Sequence, residues 1–234
     1  MRGINGPMKR ISTYAPSVSG GGGGGSTGSL TIGSNYGDGT PTMTMTVGTV
    51  TVTGVVANQV TSKDTWFDNV ALCPTDTNHN GTPILVTGVT ATKTRGIVGF
   101  DVSTFPASSS CSAVTLRLVL NTAPAAVNQT IDVYTIAAGG ETWAEGTIKC
   151  STAPAVVTNV GSFSVLSTDT PGKVYTVTLS ATAATAIATQ MGTGTVSFIL
   201  DNGSATGVSC SFNDKETGGA GTFAQLSWTF QKTL

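Results

Sequence analysis

The sequence is poor in charge, since Asp, Glu, Lys and Arg make up 10% of its 234 residues, against about a quarter in an average soluble protein. The net charge is −1, so the chain lacks the basic face that a nucleic-acid partner would require. No apolar run approaches the roughly 20 residues of a membrane-spanning helix. Polarity must therefore come from Thr, Ser, Asn and Gly, a composition typical of extracellular adhesive modules and virion proteins.

Residues for catalysis are also scarce. The one histidine is His79, which lies in a predicted loop, and the chain contains neither a G-x-S-x-G elbow nor an H-E-x-x-H motif. Glu141 and Glu145 flank a tryptophan, and Asp214 and Glu216 lie near the end of the chain. Paired carboxylates hydrolyse glycosides when they lie about 5–10 Å apart across a cleft, and nothing in the sequence places these residues so. We therefore predict that the protein is not an enzyme.

The cysteines exclude the common metal-binding patterns. None of them forms a C-x-x-C pair, which excludes a zinc knuckle and a thioredoxin-like redox motif. Their wide spacing in a loop-rich β protein suits one or two disulfides, with three connectivities that the sequence does not separate. The alternative is four buried free thiols. We predict at least one disulfide among Cys73, Cys111, Cys150 and Cys210.

One loop resembles half of a calcium-binding loop. Asp76, Asn78, Asn80 and Gly81 have the D-x-N-x-N-G spacing with which an EF-type calcium loop begins. The twelfth position is Thr87 instead of glutamate, so the bidentate ligand is missing. We expect no cofactor, and retain Asp76, Asn78 and Asn80 as candidate calcium ligands.

From about residue 60 the sequence pattern predicts a series of short strands. The stretch 94–120 is central: in its second half Val114, Leu116, Leu118 and Leu120 alternate with more polar residues, as in a half-buried strand. The alanine-rich stretch 180–191 predicts one helix, which begins at Ser180 and is ended by a glycine. Further strands are predicted near 65–69, 84–87, 96–102, 113–121, 129–137, 161–165, 173–179, 193–201, 207–213 and 224–231.

The first 59 residues have a different character. An unbroken glycine run occupies 20–25, and a Thr/Met/Val alternation occupies 42–53 with a change of phase at Gly48. Either two short strands joined by a hairpin turn or one bulged strand fits this pattern. We predict an all-β protein, in which an extended Gly-rich arm (1–59) precedes an antiparallel, jelly-roll-like β-sandwich (60–234).

From about residue 63 to its end, the chain resembles the DNRLRE-domain family. The family's opening D-T-aromatic strand resembles Asp64-Thr65-Trp66-Phe67-Asp68, and the other motifs that carry the likeness lie at 95–106, 142–154, 209–216 and 226–230. These β-sandwich modules occur in bacterial surface and secreted proteins, and some are classed as carbohydrate-binding modules. The chain departs from the family pattern at two places. Cys150 stands where the family usually has a second tryptophan, and residues 213–216 stand where the family usually has S-R-E.

The resemblance implies glycan binding and gives the W-x-E-G-T element a structural role. Trp143 would then cap the sandwich, and Glu145 would meet Arg95 or a backbone amide. Sugar-stacking sites need exposed rings, whereas aromatic residues at strand spacing are usually core. Tyr134, on the same strand face as Asp132, and Trp66 are the two candidate exposed rings.

We expect a structural or adhesive surface protein, localised at a virion surface or outside the cell. The first hypothesis is a phage capsid decoration or fibre protein that is anchored to sister copies or a shell through residues 1–50 and displays a glycan-binding sandwich. The alternative is a secreted bacterial carbohydrate-binding module, or a filament subunit assembled by strand exchange.

Overall fold

The computed structural model describes residues 28–31, 42–46, 49–68, 79, 81–88, 93–107, 110–203, 208–216 and 222–233. Its strands and helix are, in chain order, β1 (Gly28–Thr31), β2 (Thr42–Thr46), β3 (Thr49–Val60), β4 (Lys63–Asp68), β5 (Ile84–Thr87), β6 (Thr94–Asp101), β7 (Ser110–Thr122), β8 (Gln129–Ile136), β9 (Val156–Val165), β10 (Val174–Thr178), α1 (Ala181–Gln190), β11 (Thr195–Asn202), β12 (Ser209–Phe212) and β13 (Gln225–Thr233). Short 3₁₀ helices occupy Gly140–Thr142 and Cys150–Thr152.

The strands form one antiparallel sheet that curls over its own core. Their order is β1-β2-β3-β13-β7-β12-β5-β6-β11-β8-β9, with β10 added at β7 and β4 added at β6. Two layers result: the first contains β1, β2, β3, β13, β7 and β10, and the second, which we call sheet B, contains β4, β5, β6, β8, β9, β11 and β12. The predicted all-β sandwich is confirmed.

The central strand β7 connects the two layers. It pairs with β13 along residues 110–117, and Leu120 pairs with Phe212 of β12. Val114, Leu116, Leu118 and Leu120 are all buried in the main core, as the alternation of the sequence predicts. The strand thus contributes a continuous apolar row to the core. Its first part pairs within the first layer, and its last part pairs with sheet B.

The helix α1 packs against β7 and β11 through Ala183, Ala184 and Ile187. Ser180 precedes the helix as predicted, but its side chain makes no capping hydrogen bond. Gly192 follows with φ of 79°, and a Cβ there would lie 2.8 Å from the Cβ of Ala107. Both the left-handed backbone and this close approach require glycine. No helix in the described part of the chain is long and apolar enough to cross a membrane.

Strand β3 joins the N-terminal strands to the sandwich. It pairs with β13 from Thr51 to Val60, and Val56 lies in the main core. β2 pairs with β3 so that Thr46 lies opposite Thr49, which selects the hairpin from the two alternatives for 42–53. β3 therefore runs across the predicted boundary between arm and sandwich, and the division at residue 59 stays a prediction. The glycine run at 20–25 lies outside the described residues.

Candidate functional site

A second, smaller core lies on the outward face of sheet B, away from the main core. It consists of Phe67, Ile97, Trp143, Ile148 and Ile199. Two of these residues come from the segment 137–155, which connects β8 to β9 and covers part of this face. Strand alternation explains the second core, because Ile199 lies between Phe198 and Leu200, both of which face the main core.

Trp143 fixes the covering segment to sheet B. Its ring is 8% exposed, and its indole N–H donates to the Ser197 hydroxyl at 2.9 Å. The Lys63 ammonium lies 4.4 Å from the ring centroid and donates to the carbonyls of Glu141 and Trp143 at 2.7 and 2.9 Å. The ring therefore has no open face on which a sugar could stack.

Glu141 is a structural carboxylate in the same segment. It accepts hydrogen bonds from the Ser197 amide at 2.9 Å and from the Ser197 hydroxyl at 2.5 Å. Burial raises the pKa of Glu141, while the bonds from Ser197 and the charge of Lys63 act in the opposite direction. The residue holds the segment against β11.

The other motif carboxylates form a partly buried ionic network. Glu145 accepts a hydrogen bond from the Asp64 amide at 2.5 Å and pairs with Lys215 at 2.6 Å. The backbone amide, one of the two partners that the resemblance implies for Glu145, is present in the structure. Lys215 also contacts Glu216, and its amide donates to the Asp64 carboxylate at 3.2 Å. Three motifs that are distant in sequence thus meet at one end of the sandwich.

Burial dominates the electrostatics of this network. Asp64 and Asp214 are each 1% exposed, and carboxylate oxygens of Asp64, Asp214 and Glu216 lie within 4.8 Å of one another. Desolvation first, and then the charge of Glu216, raise the pKa of Asp64 to about 7, against the attraction of Lys215. Asp64 and Asp214 are thus withdrawn from solvent, whereas Glu216 at the edge of the network is exposed.

Trp66, one of the two candidate sugar-stacking rings, is partly exposed, and His79 covers one face of the ring. The His79 ring stacks on it with centroids 3.4 Å apart and planes inclined by 11°. Trp66 also packs against the main core, and its indole N–H donates to the Thr82 hydroxyl at 2.9 Å. Burial lowers the pKa of His79, partly opposed by Asp68. His79 therefore acts as a packing partner of Trp66.

A row of polar side chains lies on the outward face of sheet B beside the small core. We call it the polar row and define it as Arg95, Asp201, Asp132 and Ser162, from β6, β11, β8 and β9. The Arg95 guanidinium donates twice to one oxygen of Asp201, at 2.9 and 2.6 Å. Asp201 is the cross-strand partner of Asp132, which is in turn the partner of Ser162. Lys93 adds a second cation, 2.8 Å from Asp201.

Tyr134 lies where the polar row meets the small core. It follows Asp132 by two residues on β8, so both side chains lie on the same face of the sheet. The ring is half-buried and packs against the edge of the small core. Of the two candidate rings, Tyr134 is thus the one that the fold places beside carboxylate, guanidinium and hydroxyl groups.

The model of carbohydrate-binding module family 96 matches residues 48–227 of the chain. The chain belongs to this family. A search of curated proteins finds no match. The family assignment supports the carbohydrate-binding part of the resemblance, and the DNRLRE-domain name itself stays a prediction.

This family 96 module also has a depression within the covering segment. Its volume is about 390 Å³, and its lining includes Thr142, Trp143, Thr147 and Thr152. Trp143 is the one aromatic residue of that lining, and both the bond to Ser197 and the contact with Lys63 hold its ring in place. The depression offers hydroxyl groups without a stacking surface.

The cysteines of the module divide into two kinds. Cys150 is disulfide-bonded, whereas Cys111 and Cys210 are free thiols. Burial raises the pKa of Cys111 to about 11 and that of Cys210 to about 12, so both thiols remain protonated at neutral pH. Cys73 lies outside the described residues, as do the candidate calcium ligands Asp76, Asn78 and Asn80.

Sequence reasoning missed most of the polar row. Asp132 was recognised as sharing a face with Tyr134, but Asp201 and Ser162 were not singled out. The strand β11 is buried from Val196 to Asn202, Asp201 included, so its sequence has no alternation that would mark Asp201 as a site residue. Its pairing with Arg95 depends on a contact between residues 106 positions apart, for which the sequence carries no local signal.

Proposed function

We propose that this protein is a non-catalytic glycan-binding module whose ligand-binding surface consists of Tyr134 and the polar row. The observation that carries the proposal is the position of the partly exposed Tyr134 ring on the same strand face as Asp132, whose partner on β9 is the exposed Ser162. Membership of carbohydrate-binding module family 96 supports the same ligand class.

The chemistry of this surface suits sugars. A carbohydrate ring has an apolar face that packs on aromatic rings and hydroxyl groups that exchange hydrogen bonds with carboxylate and guanidinium groups. Asp201 is 5% exposed and paired with Arg95 and Lys93, so it supports the surface from below, and Asp132 and Ser162 offer the accessible hydrogen-bonding atoms. Such preorganisation lowers the entropy that is lost when a ligand binds.

The main test is affinity gel electrophoresis with soluble β-glucan, xylan, galactomannan, pullulan, alginate and chitosan. We expect at least one of these polysaccharides to retard the wild-type protein. Tyr134→Ala should weaken that binding about tenfold, because it removes the ring on which the sugar stacks. Tyr134→Phe is the matched control and should keep most of the affinity, since the ring remains.

Thermal unfolding of both variants must accompany this test, because Tyr134 also packs against the small core. A folded Tyr134→Ala variant that binds as tightly as the wild type would contradict the proposed surface. Absence of retardation by every polysaccharide of the panel would contradict glycan binding by this module.

We further propose that a larger assembly carries the module, with a virion surface as the first hypothesis and a secreted or filamentous bacterial protein as the second. The proposal is supported by β1 and β2, which extend the sheet beyond β3 and pair in register with each other and with β3. β1 is the last strand at that margin of the sheet, and edge strands readily pair with other chains. Electron microscopy of the native assembly would test this, and a monomer in isolated native material would contradict it.

A further inference from the structure

We propose that a disulfide between Cys150 and Cys73 straps the second half of the covering segment (137–155) to the loop that follows β4. The first half of the segment is held without covalent bonds, by Trp143 and Glu141 on Ser197. The strap is a property of the fold and does not depend on the proposed glycan-binding surface.

The cysteine count is the first argument. The chain contains four cysteines. Cys150 is disulfide-bonded, and Cys111 and Cys210 are free thiols. Within one chain, the partner of Cys150 can therefore be only Cys73, whose own position lies outside the described residues.

The position of the free thiols is the second argument. Cys210 is 1% exposed in the main core, and Cys111 packs against the same core with its Sγ 3.3 Å from the Met191 Sδ. Cys150 follows Ile148, which belongs to the small core on the outward face of sheet B. A disulfide requires Cα atoms within about 7 Å of each other. Sheet B lies between the covering segment and both free thiols, so neither can serve as the partner.

The reach of the chain is the third argument. Phe67 at the end of β4 and Ile148 of the covering segment are each 2% exposed and pack in the same small core. Cys73 follows Phe67 by six residues, and Cys150 follows Ile148 by two. An extended chain spans about 3.3–3.6 Å per residue, so Cys73 can lie up to about 20 Å from Phe67. This length is sufficient to reach Cys150.

The bond adds an anchor where the covering segment has little buried surface. In the described stretch 147–152, Ile148 alone is buried. Its amide donates to the Ala144 carbonyl at 2.9 Å, and the Lys149 amide donates to the Thr152 hydroxyl at 3.0 Å, so both bonds stay within the segment. A disulfide restricts the unfolded chain. Here it also limits how far the segment can move from β4.

The bond forms by exchange with a small disulfide such as oxidised glutathione. The two thiols lose two protons and two electrons as their S–S bond forms, and the S–S bond of the oxidant is cleaved to two thiols.

Tryptic mapping of the full chain, oxidised in this way and alkylated without reduction, tests the pairing. The Lys and Arg positions place each cysteine on a different peptide. We expect peptides 64–93 and 150–173 to be joined, and peptides 96–117 and 174–215 to carry one alkylated thiol each. A link from 150–173 to either of the latter peptides, or an alkylated Cys150, would overturn the pairing.

Reduction of the wild-type protein tests the strap. We expect tris(2-carboxyethyl)phosphine to lower the Tm by about 5–15 °C. Amide hydrogen exchange should become faster at 147–152 and stay unchanged in β7. Cys150→Ser and Cys73→Ser should each have the Tm of the reduced protein and lose the response to reductant. Cys111→Ser is the matched control and should keep that response. Exchange at 147–152 that reduction leaves unchanged would overturn the strap.

Discussion

At the scale of single residues, protonation of Asp64 links the stability of the fold to pH. Its ordinary pKa is 3.8, and burial together with Glu216, Glu145 and Asp214 raises it to about 7, against Lys215. The folded protein therefore binds this proton more tightly than the unfolded chain does. The resulting stabilisation is full below about pH 4 and is lost as the pH rises through about 7.

We therefore predict that the free energy of unfolding falls between about pH 4 and pH 7, on the order of 2–4 kcal/mol from this residue. Urea denaturation at a series of pH values measures it, and Asp64→Asn should flatten the profile in this window. Asp169→Asn is the matched control, because hydrogen bonds from Lys173 and Tyr175 lower the pKa of Asp169 to about 2. Asp169→Asn should therefore change the free energy of unfolding only at a lower pH than this window. An unchanged profile in Asp64→Asn would contradict the assignment.

At the scale of elements, strand β3 depends on a close approach to β13. Gly54 lies opposite Phe230, and a Cβ at residue 54 would be 2.5 Å from the Phe230 ring. The ring itself is 3% exposed and packs edge-on with Phe105, so it cannot move without disturbing the core. The contact explains why a strand rich in Thr and Val contains a glycine at this point.

Gly54→Val should destabilise the protein by about 1–3 kcal/mol, because the added atoms overpack a dense region of the core. Chemical denaturation provides the measurement. Gly146→Ala is the matched control, since a Cβ there meets no atom within 4 Å, and it should change the stability by less than about 0.5 kcal/mol. A Gly54→Val protein as stable as the wild type would show that β3 does not pack on Phe230 as described.

Elements with strong local signals could be predicted from the sequence, and long-range contacts could not. The strand Ile84–Thr87 and the helix Ala181–Gln190 follow from periodicity and flanking residues. In contrast, the bond from the Asp64 amide to Glu145 joins residues 81 positions apart. Local propensity carries no information about such pairs. For the same reason, the stacking of the His79 ring on Trp66 has no local signal in the sequence.

At the scale of the whole molecule, the two faces of the curled sheet differ in what they contact. The inner faces bury the main core, including Phe198 and Leu200 of β11. The outward face of sheet B is covered by segment 137–155 on one side of Tyr134. On the other side Asp132 and Ser162 reach solvent, and Asp201 is buried beside them. The partly buried ionic network of Asp64, Glu145 and Lys215 anchors that segment at a distance from the proposed ligand. The network therefore lies apart from the proposed surface, of which Tyr134 also packs against the small core.

The most direct test of this account is a map of the ligand on the protein by NMR. Amide resonances would be followed while oligosaccharides of the tightest-binding polysaccharide are added. We predict that the shifts concentrate at Tyr134, Asp132, Asp201 and Ser162 and leave the Trp66 indole and the exposed residues of β10 unchanged. Shifts centred on Trp66, on the depression at Thr142–Thr152 or on β10, with none along the polar row, would contradict it.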